Sequence, residues 1–326
     1  MKLDRDICLG GRFNEKTILG IRLNKYDIYI CNSNMYIPYQ FYQSKDKETI
    51  TEVDIMVYDM NTTLSHMFYG CKNLQIIHNM DIWDTRNVKN MRAMFGECEN
   101  LTELDLSNFN TNKVTDMQYM FYYCKALPIL DLSNFNTSNV TTMDLMFHRC
   151  EKLISIDVSN FDTKEVTSMH RMFDECHKLT SLNVSSFNTS KVTSMNGMFQ
   201  NCKSLTSLDL SNFDTKKING NGYGSMFAMF ANCYNLITLD IRNFDIAHLS
   251  NEDTRNMFNF CYNLHTLRLD NCSNGTISRI ITSYEFPTNT ISETTRKIYI
   301  DPNEKGTLKP PSPWVFVNCE TDEIIN

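Results

Sequence analysis

The chain has 326 residues, 42% hydrophobic and 21% charged, a make-up that excludes a disordered chain and allows a sizeable core. A net charge of −7, with basic residues only in isolated pairs such as Lys216-Lys217, excludes the basic stripe of a nucleic-acid binder. No apolar run is long enough for membrane insertion and residues 1–16 hold no apolar export-signal core, so the chain as given reads as cytoplasmic.

Residues 1–52 read as an N-terminal cap, with short strands expected around Ile21, Tyr26 to Ile30 and Met35 to Ile37. Val53, Ile55 and Val57 alternate like a degenerate first strand of the repeat region. Residues 53–270 are governed by a repeat, whose register is set by the dipeptide Met-Phe at Phe68, Phe95, Phe121, Phe147, Phe173, Phe199, Phe230 and Phe258. Three residues after each Phe stands a cysteine: Cys71, Cys98, Cys124, Cys150, Cys176, Cys202, Cys233 and Cys261. Three residues further stands a leucine, from Leu74 to Leu264. The spacing is about 26 residues, which matches the periods of stacked-coil proteins. Residues 271–326 read as a C-terminal cap, with strands expected at Lys297 to Ile300 and Trp314 to Val317.

Within one unit, Leu101, Leu104 and Leu106 end in strict alternation, the signature of a short strand. Identical strands running in one direction imply a parallel sheet. The second half changes period: Val114, Met117, Met120, Phe121 and Cys124 lie on one face of a short helix, with Thr115, Thr141, Thr167 and Thr193 placed as N-caps. The expected fold is therefore an α/β leucine-rich-repeat-like solenoid, with one short parallel strand and one short helix per unit. Phe109, Phe135, Phe161, Phe187, Phe213 and Phe244, with Trp83 in the first unit, are expected as a stacked aromatic column at the corner. The cysteine column is expected to be buried, reduced and structural, because no two members have the close spacing of zinc ligands.

Strings such as Leu130 to Leu153 and Leu182 to Leu205 make this chain resemble the BspA-like leucine-rich repeat family over about residues 53–270. That resemblance implies a cell-surface protein used in adhesion or host interaction, with a protein partner of the host or extracellular matrix. The Cys-x-x-Leu-x-x-Leu order is also similar to the cysteine-containing repeats of F-box proteins, which implies the alternative of an intracellular adaptor or substrate receptor.

Catalytic chemistry has no support in the residues: no nucleophile, phosphate-loop or metal motif is present, so no enzyme activity, metal or cofactor is expected. His170, Asp174 and His177 have helical spacing for a ligand trio, but His177 lies beyond Cys176 at the expected helix end. Gly220, Gly222, Tyr223 and Gly224 form an insertion that lengthens one unit, either as a tolerated loop or as a contact loop on the binding face. One outward strand position carries Asp105, Asp131, Asp157, Asn183, Asp209, Asp240 and then Arg268. This row reads either as local backbone capping or as a rail for a basic or hydroxyl-rich partner. The row and the glycine loop are the candidate partner-binding residues.

Overall fold

A computed structural model describes residues 18–23, 26–31, 53–57 and 63–325, apart from 73, 78–79, 81–82, 220–223, 284–285 and 289–294. Strands β1 (Ile18–Leu23), β2 (Tyr26–Cys31) and β3 (Val53–Val57) form an antiparallel sheet in the order β2-β1-β3. The strand expected at Val53 is thus formed, but it pairs antiparallel with β1 and not parallel with a neighbouring coil. The strand expected at Met35 lies outside the described residues.

From Thr63 onward the chain is a parallel β-solenoid of about eight turns. Short strands mark one side: β4 (Ile76–Ile77), β5 (Glu103–Leu104), β6 (Ile129–Leu130), β7 (Ser155–Ile156), β8 (Ser207–Asp209), β9 (Thr238–Asp240) and β10 (Thr266–Arg268). The pairs β4–β5 and β6–β7 and the run β8-β9-β10 are parallel and in register, so that Leu208 faces Leu239 and Leu239 faces Leu267. The strand faces fall as alternation predicts, with Ile156 and Leu182 buried and Ser155 and Ser181 exposed.

The helix expected in each unit does not form. Between Met117 and Cys124 the amide hydrogens divide into two alternating sets. Those of Met120, Tyr122 and Cys124 turn back to the carbonyls three residues earlier. Those of Tyr119, Phe121 and Tyr123 cross to Asp144, Met146 and His148 of the next coil. The backbone makes this possible by entering the left-handed region at every fourth residue, Tyr119 (φ 60°) and Tyr123 (φ 59°) here. A positive φ at the third residue is what a type II turn requires, and it stops an α-helix, whose residues all have negative φ. The same two columns are left-handed in every coil: His66 and Gly70, Ala93 and Glu97, Leu145 and Arg149, Arg171 and Glu175, Gly197 and Asn201, Ala228 and Asn232, Asn256 and Phe260. A chain of reverse turns repeating every four residues places apolar side chains at i, i+3, i+4 and i+7, as a helix would. Among the described residues the sole α-helix is α1 (Asn274–Ile281), N-capped by Ser273, whose hydroxyl accepts from the Thr276 amide.

The threonines expected as N-caps have no helix to cap. The Oγ1 of Thr141, Thr167 and Thr193 instead donates to the carbonyl of the equivalent threonine one coil back. A different threonine, that of the Phe-Asn/Asp-Thr string, closes the opposite corner. Thr85, Thr111, Thr163, Thr189 and Thr215 are buried, and each hydroxyl both donates to a carbonyl and accepts from an amide of the same residue in the next coil, Asn110, Asn136, Asn188, Asp214 and Asp245. The asparagine of Ser-Asn-Phe ties carbonyls in the same direction: Asn160 Nδ2 donates to Leu132, Ser133 and Phe135.

Inside the coils the Met-Phe rings form an unbroken stack. Phe68, Phe95, Phe121, Phe147, Phe173, Phe199, Phe230 and Phe258 succeed one another at 5.4–6.0 Å between centroids. The corner column is looser, at 6.4 Å for Trp83–Phe109 and 6.5 Å for Phe161–Phe187 and Phe187–Phe213. The eight repeat cysteines are buried thiols outside any disulfide. From Cys98 to Cys261 each Sγ donates to the carbonyl of the Met-Phe phenylalanine one coil back, at 3.1–3.3 Å. Burial raises these thiols well above their ordinary pKa, Cys261 to about 12. Past the repeat, β11 (Arg296–Ile300) and β12 (Trp314–Asn318) form where strands are expected and extend the parallel sheet beyond β10, and Ile324 bridges Val317 on the outer edge.

Three outcomes test this architecture. Thiol titration of the native protein labels none of the eight repeat cysteines, and denaturation releases all of them; reaction in the native state contradicts their burial. Thr163→Val, which keeps the shape but strips the hydroxyl from an amide and a carbonyl, lowers stability by about 1–3 kcal/mol in chemical denaturation. Ile156→Ala costs roughly 2–5 kcal/mol, whereas Ser155→Ala changes stability by less than about 0.5 kcal/mol.

Candidate functional site

The row of outward residues is real as a geometric object. Asp105, Asp131 and Asp157 directly follow β5, β6 and β7, and Asp209 and Asp240 end the paired strands β8 and β9, so stacking brings the row into line along one face. Each is fixed by its own backbone. Asp105, Asp131, Asp157 and Asp209 accept at Oδ1 from the amides of Ser107, Ser133, Ser159 and Ser211, all at 2.9 Å. This is an Asx turn, the local bond that short polar side chains make two residues ahead. Amide and hydroxyl bonds from Ser107 and Ser133 hold Asp105 and Asp131 below the usual carboxylate range, and Ser159 does the same for Asp157. Asp131 feels the opposing push of Asp157 and Asp105, and the local bonds outweigh it.

Asn183 occupies the row without charge and makes the same turn, accepting from Ser185 at 3.0 Å. The turn thus needs an oxygen and not a negative charge. The far end of the row is different. Asp240 is clasped by Arg242, whose Nε lies 3.0 Å from Oδ1, and Arg268 Nε stands 3.7 Å from Oδ2. Arg242 and Arg268 also reach Asp270, so the charge of Asp240 is neutralised within the molecule. The exposed negative section is Asp105, Asp131, Asp157 and Asp209. One isoleucine stands on the same face as a bare apolar contact, Ile129 at 67% exposure. Ile129 lies two residues before Asp131 and shares its outward side.

Of the insertion, Gly220, Gly222 and Tyr223 lie outside the described residues. Gly224 is described: it is left-handed at φ +63°, and a Cβ there would meet the Phe227 side chain at 2.6 Å and the Glu252 carbonyl at 3.0 Å. Glycine at this point is thus required by the turn.

The trio His170, Asp174 and His177 is not brought together as a helix face would bring it. Asp174 is fully buried and instead meets His148, the residue at its own position one coil earlier, with Nδ1 3.2 Å from Oδ2. Arg171 donates to the same oxygen at 3.2 Å and Asn201 to Oδ1 at 3.1 Å. The only sequence signal for His148 is the repeat spacing, because stacking makes neighbours of residues 26 apart.

No helix among the described residues is long and apolar enough to cross a membrane. A family model described as "Mycoplasma protein of unknown function, DUF285" matches residues 62–155 and 151–271. These tandem matches span more than half of the chain, and the chain belongs to that family. No curated protein matches it.

The separation of charge from turn at Asn183 yields a direct test. Asp131→Asn keeps the Asx turn, exchanging a charge-assisted bond for a neutral one while relieving repulsion from Asp105 and Asp157, so the melting temperature at neutral pH changes little. Asp131→Ala removes the turn and lowers it. For Asp105, Asp131 and Asp157 the folded pKa is depressed, so their contribution to stability is present above the unfolded carboxylate pKa and is lost as pH falls through the folded value. The acid-side loss of stability is therefore smaller in a triple Asp→Asn variant than in the parent. Equal acid sensitivity would remove the assigned role of these bonds.

Proposed function

We propose that this member of a Mycoplasma repeat family is a binding protein rather than an enzyme, and that it recognises a basic protein segment along the strand face. The single observation that carries this reading is the row Asp105, Asp131, Asp157 and Asp209, exposed and held in place by turns that do not need its charge. Local capping alone would be served by asparagine, as at Asn183, so the carboxylates are in excess of what folding asks. Preset side chains lose little entropy when a partner docks. Ile129 adds apolar contact beside the charges, which suits a segment that pairs basic with apolar residues. The resemblance of the repeat strings to the BspA-like leucine-rich repeat family supports a surface role in adhesion or host interaction, with a host or extracellular-matrix protein as partner.

Binding of the full chain to lysine-rich extracellular-matrix peptides tests the reading. Asp131→Asn with Asp157→Asn is expected to weaken binding and flatten its salt dependence while leaving folding intact. Peptides that bind parent and double variant alike, or that fail to bind the parent while a charge-reversed acidic set does bind, contradict it.

A further inference from the structure

The turn face of the coils carries a second polar cluster that neither the fold nor the strand-face row uses. At the residue two before each cysteine the column reads Tyr122, His148, Asp174 and Gln200 in successive coils. Interior positions of a repeat protein are filled by apolar residues, and a fully buried carboxylate such as Asp174 is costly unless paired. Asp174 is paired with Arg171 and Asn201, but its neighbours in the column are not fully satisfied. His148 is only 5% exposed, and its Nδ1 makes no hydrogen bond among the described residues, although it lies 3.2 Å from Asp174 Oδ2. One coil on, Gln200 Oε1 is also buried without a hydrogen-bond partner among the described residues. Such orphaned buried atoms commonly face an ion or a water.

The donors around that point are of one kind. An imidazole nitrogen of His148, a carboxylate oxygen of Asp174 and a carboxylate oxygen of Glu175 lie within 4.8 Å of one another. The His148 Nδ1 to Asp174 Oδ2 separation of 3.2 Å is close to the edge of a tetrahedron built on bonds of about 2.1 Å, roughly 3.4 Å. The surroundings orient these donors. The His148 ring stacks on Tyr122 at 5.3 Å, and Asp174 Oδ1 is held by Asn201, which Asn232 holds in turn at 2.9 Å. Outer partners of this sort fix ligand geometry in metal sites. His177 stands beside Glu175, its Nε2 4.0 Å from Oε2.

We propose that His148, Asp174 and Glu175 form a site for one divalent transition metal of the zinc class. One imidazole with two carboxylates suits such an ion better than calcium or magnesium, which take all-oxygen sets. Two arginines neutralise the carboxylates otherwise: Arg171 on Asp174 Oδ2 and Arg149 on Glu175 at 2.9 Å. Arg171 is the cation that the metal displaces, and its side chain is 36% exposed and so has solvent to move into.

Calorimetric titration of the chelator-treated full chain with Zn2+, with Co2+ followed optically in parallel, tests the site. The expected result is one equivalent bound, with Co2+ showing visible absorption but no thiolate charge-transfer band. Glu175→Gln, partly exposed and isosteric, is expected to weaken binding by about 10-fold or more, and His148→Ala to do the same. Arg171→Ala removes the competing cation and is expected to tighten binding. No saturable binding by the parent, binding unchanged in Glu175→Gln, a thiolate band, or failure of Arg171→Ala to tighten the complex would each overturn the site and leave an internal ion pair only.

Discussion

The structure depends on the division of backbone amides into two alternating sets. In each coil one set closes local turns and the other bonds to the next coil, as Phe121 does to Met146 and Phe147 to Met172. This arrangement satisfies the backbone of a narrow, largely buried turn, which an unpaired amide there would make unstable. It also fixes the rise from coil to coil, and the other columns depend on that rise. The stacked phenylalanines, the thiols bonded to phenylalanine carbonyls and the buried threonine hydroxyls repeat because one backbone ladder sets their spacing.

The repeat itself is written in the residues, and so are the strand, its inward face and the burial of the cysteines. Each comes from residue type at a fixed place: Leu104, Ile156 and Leu182 alternate with polar neighbours, and a cysteine column without close pairs has little to do but pack. The expectation of a helix fails for an equally physical reason. Met117, Met120, Phe121 and Cys124 have helical spacing, and a four-residue succession of turns has the same spacing. One signal separates the two. The left-handed columns hold His, Gly, Ala, Glu, Tyr, Leu, Arg, Asn and Phe, and never Val, Ile or Thr. Branching at Cβ is tolerated in a helix but strongly opposed at positive φ. Asn and Gly, the residues most at ease there, recur at Gly70, Gly197, Asn201, Asn232 and Asn256.

The candidate surface is legible in position but not in its inner logic. Alternation places Asp105, Asp131 and Asp157 outward, and the serine two residues on hints at local bonding. That the turn survives without charge at Asn183 and that Arg242 clasps Asp240 are local bonds that alternation alone does not reveal, and the approach of Arg268 to Asp240 emerges only when neighbouring coils are set side by side. The His148–Asp174 contact is of the same kind, since it joins residues distant in sequence and adjacent in the stack. In a repeat protein the shared positions report on folding. The positions that break the pattern, or carry more chemistry than the pattern needs, are where function is to be sought.

The most direct measurement of the central claim is the scalar coupling transmitted through a hydrogen bond, from the Phe121 amide nitrogen to a carbonyl carbon, in labelled and deuterated protein. Coupling to the carbonyl of Met146, in the next coil, is the expected result. Coupling to Met117, four residues earlier in the same coil, would mean a helix and would contradict the turn ladder.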